Sequence, residues 1–180
     1  MVKLLILDVD GVLTDGTKHY DKEHNVLSKK YLCKDFTAIK RFKAAGIEVI
    51  MLSGDIFNKT MAEKRNIDFY CSRGDDLSLD KARFVELFAE KYKVPGDQMA
   101  FVGDDYFDLS MFQKLKYTFS PSDAPQAIKQ ESFKVLSSPG GTGVVVELYD
   151  YFREVGLLED APPEKVAELD KQEQTSKEMS

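Results

Sequence analysis

Carboxylates recur in this sequence where apolar runs stop. Asp8 and Asp10 follow Leu4-Leu5-Ile6-Leu7, and Asp104, Asp105 and Asp108 follow Met99-Ala100-Phe101-Val102-Gly103. Like charges set that close need a shared cation, and hard oxygen ligands suit Mg²⁺, which keeps waters to exchange for phosphate oxygens. A further apolar run, 47–52, ends in Ser53-Gly54-Asp55. A hydroxyl, the backbone N–H after Gly54 and a lysine suit the other oxygens of a phosphoryl group. Lys81 is the lysine singled out, because it falls in the first turn of a helix predicted over 79–92, where the helix dipole disfavours a cation. With no Ser–His or Cys–His pair in view, a carboxylate is left as the nucleophile of phosphoryl transfer. His19 and His24 lack partners spaced for zinc, and Cys33 and Cys71 read as packed, reduced thiols without disulfides.

These groups meet only if the runs that carry them are neighbouring strands. Four consecutive aliphatic residues suit a parallel strand covered by helices on both faces, and such sheets bind ligands at the carboxyl ends of their strands. The chain alternates accordingly, with strands predicted over 4–7, 47–52, 67–71, 99–102, 117–120 and 133–136. Between them, helices are predicted over 36–45 with Asp35 as its cap, 57–65, 79–92, 109–115 and from Pro125, with a last one over 144–155. In the helix over 79–92, Ala82, Val85, Leu87 and Phe88 form the apolar side. Residues 17–31 read as a β-hairpin, and 73–76 and 139–143 as loops. The expected fold is α/β: a doubly wound, Rossmann-like parallel sheet with a small β-hairpin insertion and no separate cap domain.

At 180 residues and 43% hydrophobic content, the chain suits one domain, 1–158, followed by a charged, mobile tail, 159–180. Of the net charge of −6, the tail's seven acidic and three basic residues account for most, leaving about −2 for the rest. No basic stripe marks a nucleic-acid surface, no apolar stretch is long enough for a membrane span, and no signal peptide is visible, so the cytoplasm is the expected location.

Asp8-Val9-Asp10-Gly11, Ser53-Gly54, Lys81 and Gly103-Asp104-Asp105-x-x-Asp108 together resemble the four motifs of the haloacid dehalogenase superfamily of phosphotransferases. The wider pattern over residues 3–156 includes Gly11-Val12-Leu13-Thr14-Asp15-Gly16, the hairpin, Lys34-Asp35 and Gly140-Gly141-x-Gly143-x-x-x-Glu147. It is similar to the small cap-less branch typified by 3-deoxy-manno-octulosonate 8-phosphate phosphatases. The resemblance implies that Asp8 is the nucleophile and that Asp10 protonates the leaving alcohol and then activates water. It implies that Asp8, the Asp10 carbonyl and Asp104 hold Mg²⁺, that Ser53, Gly54 and Lys81 bind the phosphoryl group, and that Asp105 and Asp108 support the metal shell and the lysine. It also implies a homotetramer built through the hairpin, in which neighbouring subunits close the active site. The implied substrate is a small sugar or sugar-acid phosphate, of the 3-deoxy-octulosonate 8-phosphate or nonulosonate 9-phosphate type.

Two departures bear on that substrate. Asp35-Phe36-Thr37-Ala38-Ile39 stands where relatives have Asp-Gly-x-Gly-Ile, which sets Phe36 near the expected pocket mouth, and Thr142 and Val146 stand where relatives carry arginines. Loss of an arginine that grips a carboxylate implies weak discrimination between acidic and neutral sugar phosphates. The alternative reading is a non-catalytic, phosphatase-like oligomerisation module, against which the intact Asp8, Asp10, Lys81 and Asp104 weigh.

Overall fold

The computed structural model describes residues 1–73 and 80–178. Its centre is Leu4–Leu7 (β1), whose four aliphatic side chains are all fully buried. The chain continues through a short antiparallel hairpin, His19–Tyr20 (β2) and Val26–Ser28 (β3), then Cys33–Ala44 (α1), Glu48–Ser53 (β4), Lys59–Glu63 (α2) and Asp68–Cys71 (β5). Phe84–Tyr92 (α3), Met99–Val102 (β6), Leu109–Lys114 (α4), Tyr117–Ser120 (β7), Gln126–Glu131 (α5), Lys134–Val135 (β8), Val144–Glu154 (α6) and Pro163–Glu178 (α7) follow. The main sheet runs β5-β4-β1-β6-β7-β8 and every pairing in it is parallel. Leu4 lies between Glu48 and Met99 in register, so β1 is the strand from which the order turns both ways. That switch point opens a crevice beyond the carboxyl end of β1.

The two-residue period of the strands explains why they are apolar throughout. Leu5, Leu7, Val49, Met51, Ala100 and Val102 face one core, with Phe42, Leu148 and Phe152, while Leu4, Ile6, Ile50, Leu52, Met99 and Phe101 face a second, with Val85, Phe88 and Ile128. Phe42 meets Tyr149 and Phe152 edge-on at 5.1 and 5.5 Å, locking α1 against α6. Among the described residues no helix is long and apolar enough to cross a membrane.

Several expectations need correction. Asp35 does not cap its own helix: α1 begins at Cys33, and the fully buried Asp35 Oδ1 accepts from Val145 N and Val146 N at 2.9 and 3.1 Å. It therefore satisfies the orphan donors at the start of α6, whose preceding Gly143 has no side chain to do so. Phe36 is not at the pocket mouth but 4% exposed, under the Arg65 guanidinium at 3.5 Å. Leu87 is not part of the inner face of α3; it is 46% exposed, because the buried stripe is set by Val85 and Phe88. The start of that helix shifts too: Lys81–Arg83 is a 3₁₀ turn capped by Asp80, and the predicted loop at Gly74-Asp75-Asp76 and the helix start at Leu79 fall outside the described residues.

The tail expected to be mobile forms α7, which docks on α1. Its composition is charged, yet Val166, Leu169 and Glu173 recur at helical spacing, the first two packing against the core. Glu173 is only 4% exposed and is held by Lys40 at 2.7 Å and Arg65 at 2.9 Å. Glu173→Ala removes the shared acceptor of both cations. It should cost about 1.5–3 kcal/mol, the range for hydrogen bonds to charged groups, and lower Tm by several degrees in a thermal melt. An unshifted Tm would show that the Glu173 ion pairs do not help to hold α7 on the fold.

Candidate active site

The crevice at the switch point is a cleft of about 220 Å³ lined by Asp8, Asp10, Ser53, Gly54, Lys81, Asp104 and Asp105, with Lys18, Asp55, Arg73 and Phe107 toward its rim. Lys81 comes from the 3₁₀ turn before α3, and the other predicted groups arrive from strand ends. Asp8 and Asp10 follow β1, Ser53 ends β4, and Asp104 and Asp105 follow β6. The turn after β1 needs its glycine: Gly11 has φ +84°, and a Cβ there would lie 1.9 Å from Asp104 Oδ2.

Asp8, Asp104 and Asp108 bring carboxylate oxygens within 4.8 Å of one another. Lys81, 4% exposed, reaches into this cluster and lies 3.2 Å from Asp8 Oδ1 and 2.6 Å from Asp108 Oδ1. Burial disfavours its charge, but Asp8 and Asp108 outweigh that and hold the ammonium firmly protonated. Asp108 Oδ2 accepts from Asp104 N and Asp105 N at 2.9 and 3.1 Å, so both its oxygens are committed to shaping the loop and holding the lysine. Asp105 caps the same turn through Tyr106 N at 2.7 Å.

One ammonium does not balance these acids. Burial pushes Asp104 up to about 8, reinforced by the charges of Asp8, Asp108 and Asp105. Burial likewise pushes Asp8 up to about 7, with Lys81 pulling it down and Asp108 pushing it up. Asp104 Oδ1 is buried without a hydrogen-bond partner. An orphaned carboxylate oxygen beside two more carboxylates is a donor set that fits a hard divalent cation.

On the other side of the cleft, Ser53 is 1% exposed, and its Oγ accepts from Asp55 N at 3.2 Å and Asn58 Nδ2 at 3.0 Å. With both lone pairs engaged, the hydroxyl proton is left to donate into the cleft. Asp10 is engaged by the hairpin: Lys29 Nζ lies 2.7 Å from its Oδ1, and Asn58 Nδ2 donates to its Oδ2 at 3.1 Å. The Lys29 side chain is fully buried and also pairs with Asp55 at 2.7 Å, as does Lys18. Although burial opposes it, these two lysines hold Asp55 well below the usual carboxylate range. From sequence Lys29 offers only a point charge toward a substrate carboxylate, and Asn58, Asp55, Lys18 and Arg73 are not singled out as site residues. For Lys29, Asn58, Asp55 and Lys18 the one signal is their polarity within the hairpin and the turn after Ser53; Arg73, which follows β5, has none. Thr142 is absent from the cleft lining; its Oγ1 donates to Pro139 O at 2.7 Å in the exposed loop before α6.

Comparisons with known proteins agree with this arrangement. The family profile of the haloacid dehalogenase-like hydrolases matches residues 76–148. The 3-deoxy-D-manno-octulosonate 8-phosphate phosphatase of Haemophilus influenzae is 34% identical over 152 residues, spanning 83% of this chain and 81% of its own. The cobalt-bound crystal structure of the Haemophilus influenzae phosphatase superposes with a TM-score of 0.77 at 32% identity, covering 85% of this chain and 88% of that one. The Moraxella catarrhalis phosphatase, solved with magnesium, phosphate and KDO, shares the fold at 22% identity and a TM-score of 0.75, over 85% and 86% of the two chains. Identity of this extent, on a sheet that brings the four motif stretches to one cleft, makes the chain an enzyme of the phosphoric monoester hydrolase class, belonging to the haloacid dehalogenase-like hydrolases and within them to the 3-deoxy-D-manno-octulosonate 8-phosphate phosphatase family.

Proposed function

We propose that the protein hydrolyses a sugar-acid phosphate of the 3-deoxy-D-manno-octulosonate 8-phosphate or nonulosonate 9-phosphate type through a phosphorylated Asp8. The observation that carries this reading is the convergence of Asp8, Asp104 and Asp108 around Lys81 at the floor of one cleft. Asp8 attacks phosphorus, forming an Asp8 O–P bond as the bond to the sugar oxygen breaks, and Asp10 gives that oxygen a proton. Water then attacks the phosphoryl group, Asp10 takes a proton from it, and inorganic phosphate leaves with the Asp8 carboxylate restored. Lys81, the Ser53 hydroxyl and the backbone N–H after Gly54 bind the phosphoryl oxygens, while Asp105 and Asp108 hold the loop and the lysine.

Asp8, the Asp10 carbonyl and Asp104 are the proposed holders of Mg²⁺, a reading supported by the orphaned Asp104 Oδ1 and by the cobalt-bound relative. Bound there, the ion would offset the carboxylates and polarise the phosphoryl oxygens. The exposed Tyr20, Leu27, Ile56 and Phe57 on and beside the hairpin support a homotetramer. We assign the enzyme to the cytoplasm, in keeping with free thiols at Cys33 and Cys71.

Asp8→Asn should lose on the order of a thousandfold or more in kcat on 3-deoxy-D-manno-octulosonate 8-phosphate, read as released phosphate, while light scattering still gives about four subunits. A variant that keeps most of its rate would remove Asp8 from the nucleophile role, and a monomer would refute the tetramer.

The acidic cluster also sets a pH dependence. The carboxyls of Asp8 and Asp104 are raised in the fold to about 7 and about 8, so ionising them costs stability as pH rises through those values, and a bound cation removes that cost. Mg²⁺ should therefore raise Tm more at pH 8.5 than at pH 6, as thermal melts with and without the ion will show. A shift that does not change with pH would place the ion elsewhere.

A further inference from the structure

Arg73 differs from the other cations of the cleft. Lys18 is paired with Asp55, Lys81 with Asp8 and Asp108, and Lys29 with Asp10 and Asp55. The Arg73 guanidinium has no carboxylate or other hydrogen-bond acceptor among the described residues, though it lines the same cleft. It is held by stacking, 5.3 Å from the centroid of the Phe107 ring. Its Nε lies so near β4's end that a Cβ at residue 54 would come within 2.9 Å of it. A planar, weakly hydrated cation with no carboxylate partner among the described residues, propped against an aromatic face, is preorganised to receive an anion in two parallel hydrogen bonds.

We propose that Arg73 is a specificity-determining residue that binds a carboxylate on the alcohol portion of the phosphate ester, with Phe107 as the apolar wall beside it. The proposal rests on the phosphatase reading above. Depth in the cleft decides which anion Arg73 meets. Asp8, Ser53 and Lys81, at the floor, are 7%, 1% and 4% exposed, whereas Arg73 is exposed and Phe107 is 44% exposed at the rim. A phosphoryl group that reaches Asp8 has its negative oxygens met on the floor, so the rest of the ester points outward past the rim. An acid group there meets the Arg73 guanidinium, and a neutral sugar leaves that guanidinium unused. This reverses the weak acid preference that Thr142 implied, because the recognising arginine comes from the strand end after β5 instead of the glycine-rich loop.

The test is kcat/KM of wild type, Arg73→Ala and Arg73→Lys on 3-deoxy-D-manno-octulosonate 8-phosphate, glucose 6-phosphate and p-nitrophenyl phosphate. Arg73→Ala should lose roughly tenfold to a hundredfold more on the acid ester than on the other two, the range for one charge-assisted contact. Arg73→Lys should recover only part of that, since a point charge lacks the guanidinium fork. Equal losses on all three esters would assign Arg73 to the phosphoryl group and overturn the proposal, as would a wild type that does not prefer the acid. Turnover of p-nitrophenyl phosphate, which carries no second anion, checks the phosphatase reading separately, so the two failures are distinguishable.

Discussion

The ion pairs of Lys81 with Asp8 and Asp108 are the interaction on which the site depends. A lysine this deeply buried is costly unless its charge is matched, and the two carboxylates 3.2 and 2.6 Å away supply the match. The pairing joins three distant stretches: the end of β1, the 3₁₀ turn before α3 and the loop after β6. Asp108 then uses its other oxygen to gather the Asp104 and Asp105 amides, so the acid that steadies the lysine also fixes the loop that presents Asp104. The remaining negative charge, centred on Asp104, is left for a cation and the phosphate that comes with it.

The fold does for this cluster what no local sequence could. Because β1 lies between β4 and β6, the residues that follow these three strands open on one crevice. The hairpin closes the far side, where Lys29 is buried among Asp10, Asp55 and Asn58. Two opposite charge patterns therefore face each other across a narrow space. The β6 side is rich in acids with one lysine, and the hairpin side uses two lysines to neutralise Asp55 and hold Asp10.

Much of this was legible in the residues. Apolar runs ending in Asp8, Ser53 and Asp104 mark parallel strands and their carboxyl ends, and each motif is contiguous enough to be read without knowing the fold. What escaped reading depends on partners far along the chain. An acid near a helix start suggested a cap, and Asp35 is one, but for a helix 110 residues later. Asn58 and Lys29 look like ordinary polar positions until the hairpin folds onto the turn after β4. The tail's charge suggested solvent, yet Glu173 is buried because Lys40 and Arg65 await it on other elements. Arg73 had no motif to announce it; only the pairing of every other cleft cation made it conspicuous.

If Asp8 carries the phosphoryl group, chemical trapping during turnover will capture it there. Acid-quenching the enzyme during turnover and reducing with borohydride converts an acyl phosphate to an alcohol, so a phosphorylated aspartate becomes homoserine. Peptide mass spectrometry should find homoserine at position 8 in the presence of a phosphate ester and Mg²⁺, and aspartate there when the ester is omitted. Homoserine at position 10 or 104 in its place, or no conversion at position 8 under rapid turnover, would remove Asp8 from the nucleophile role.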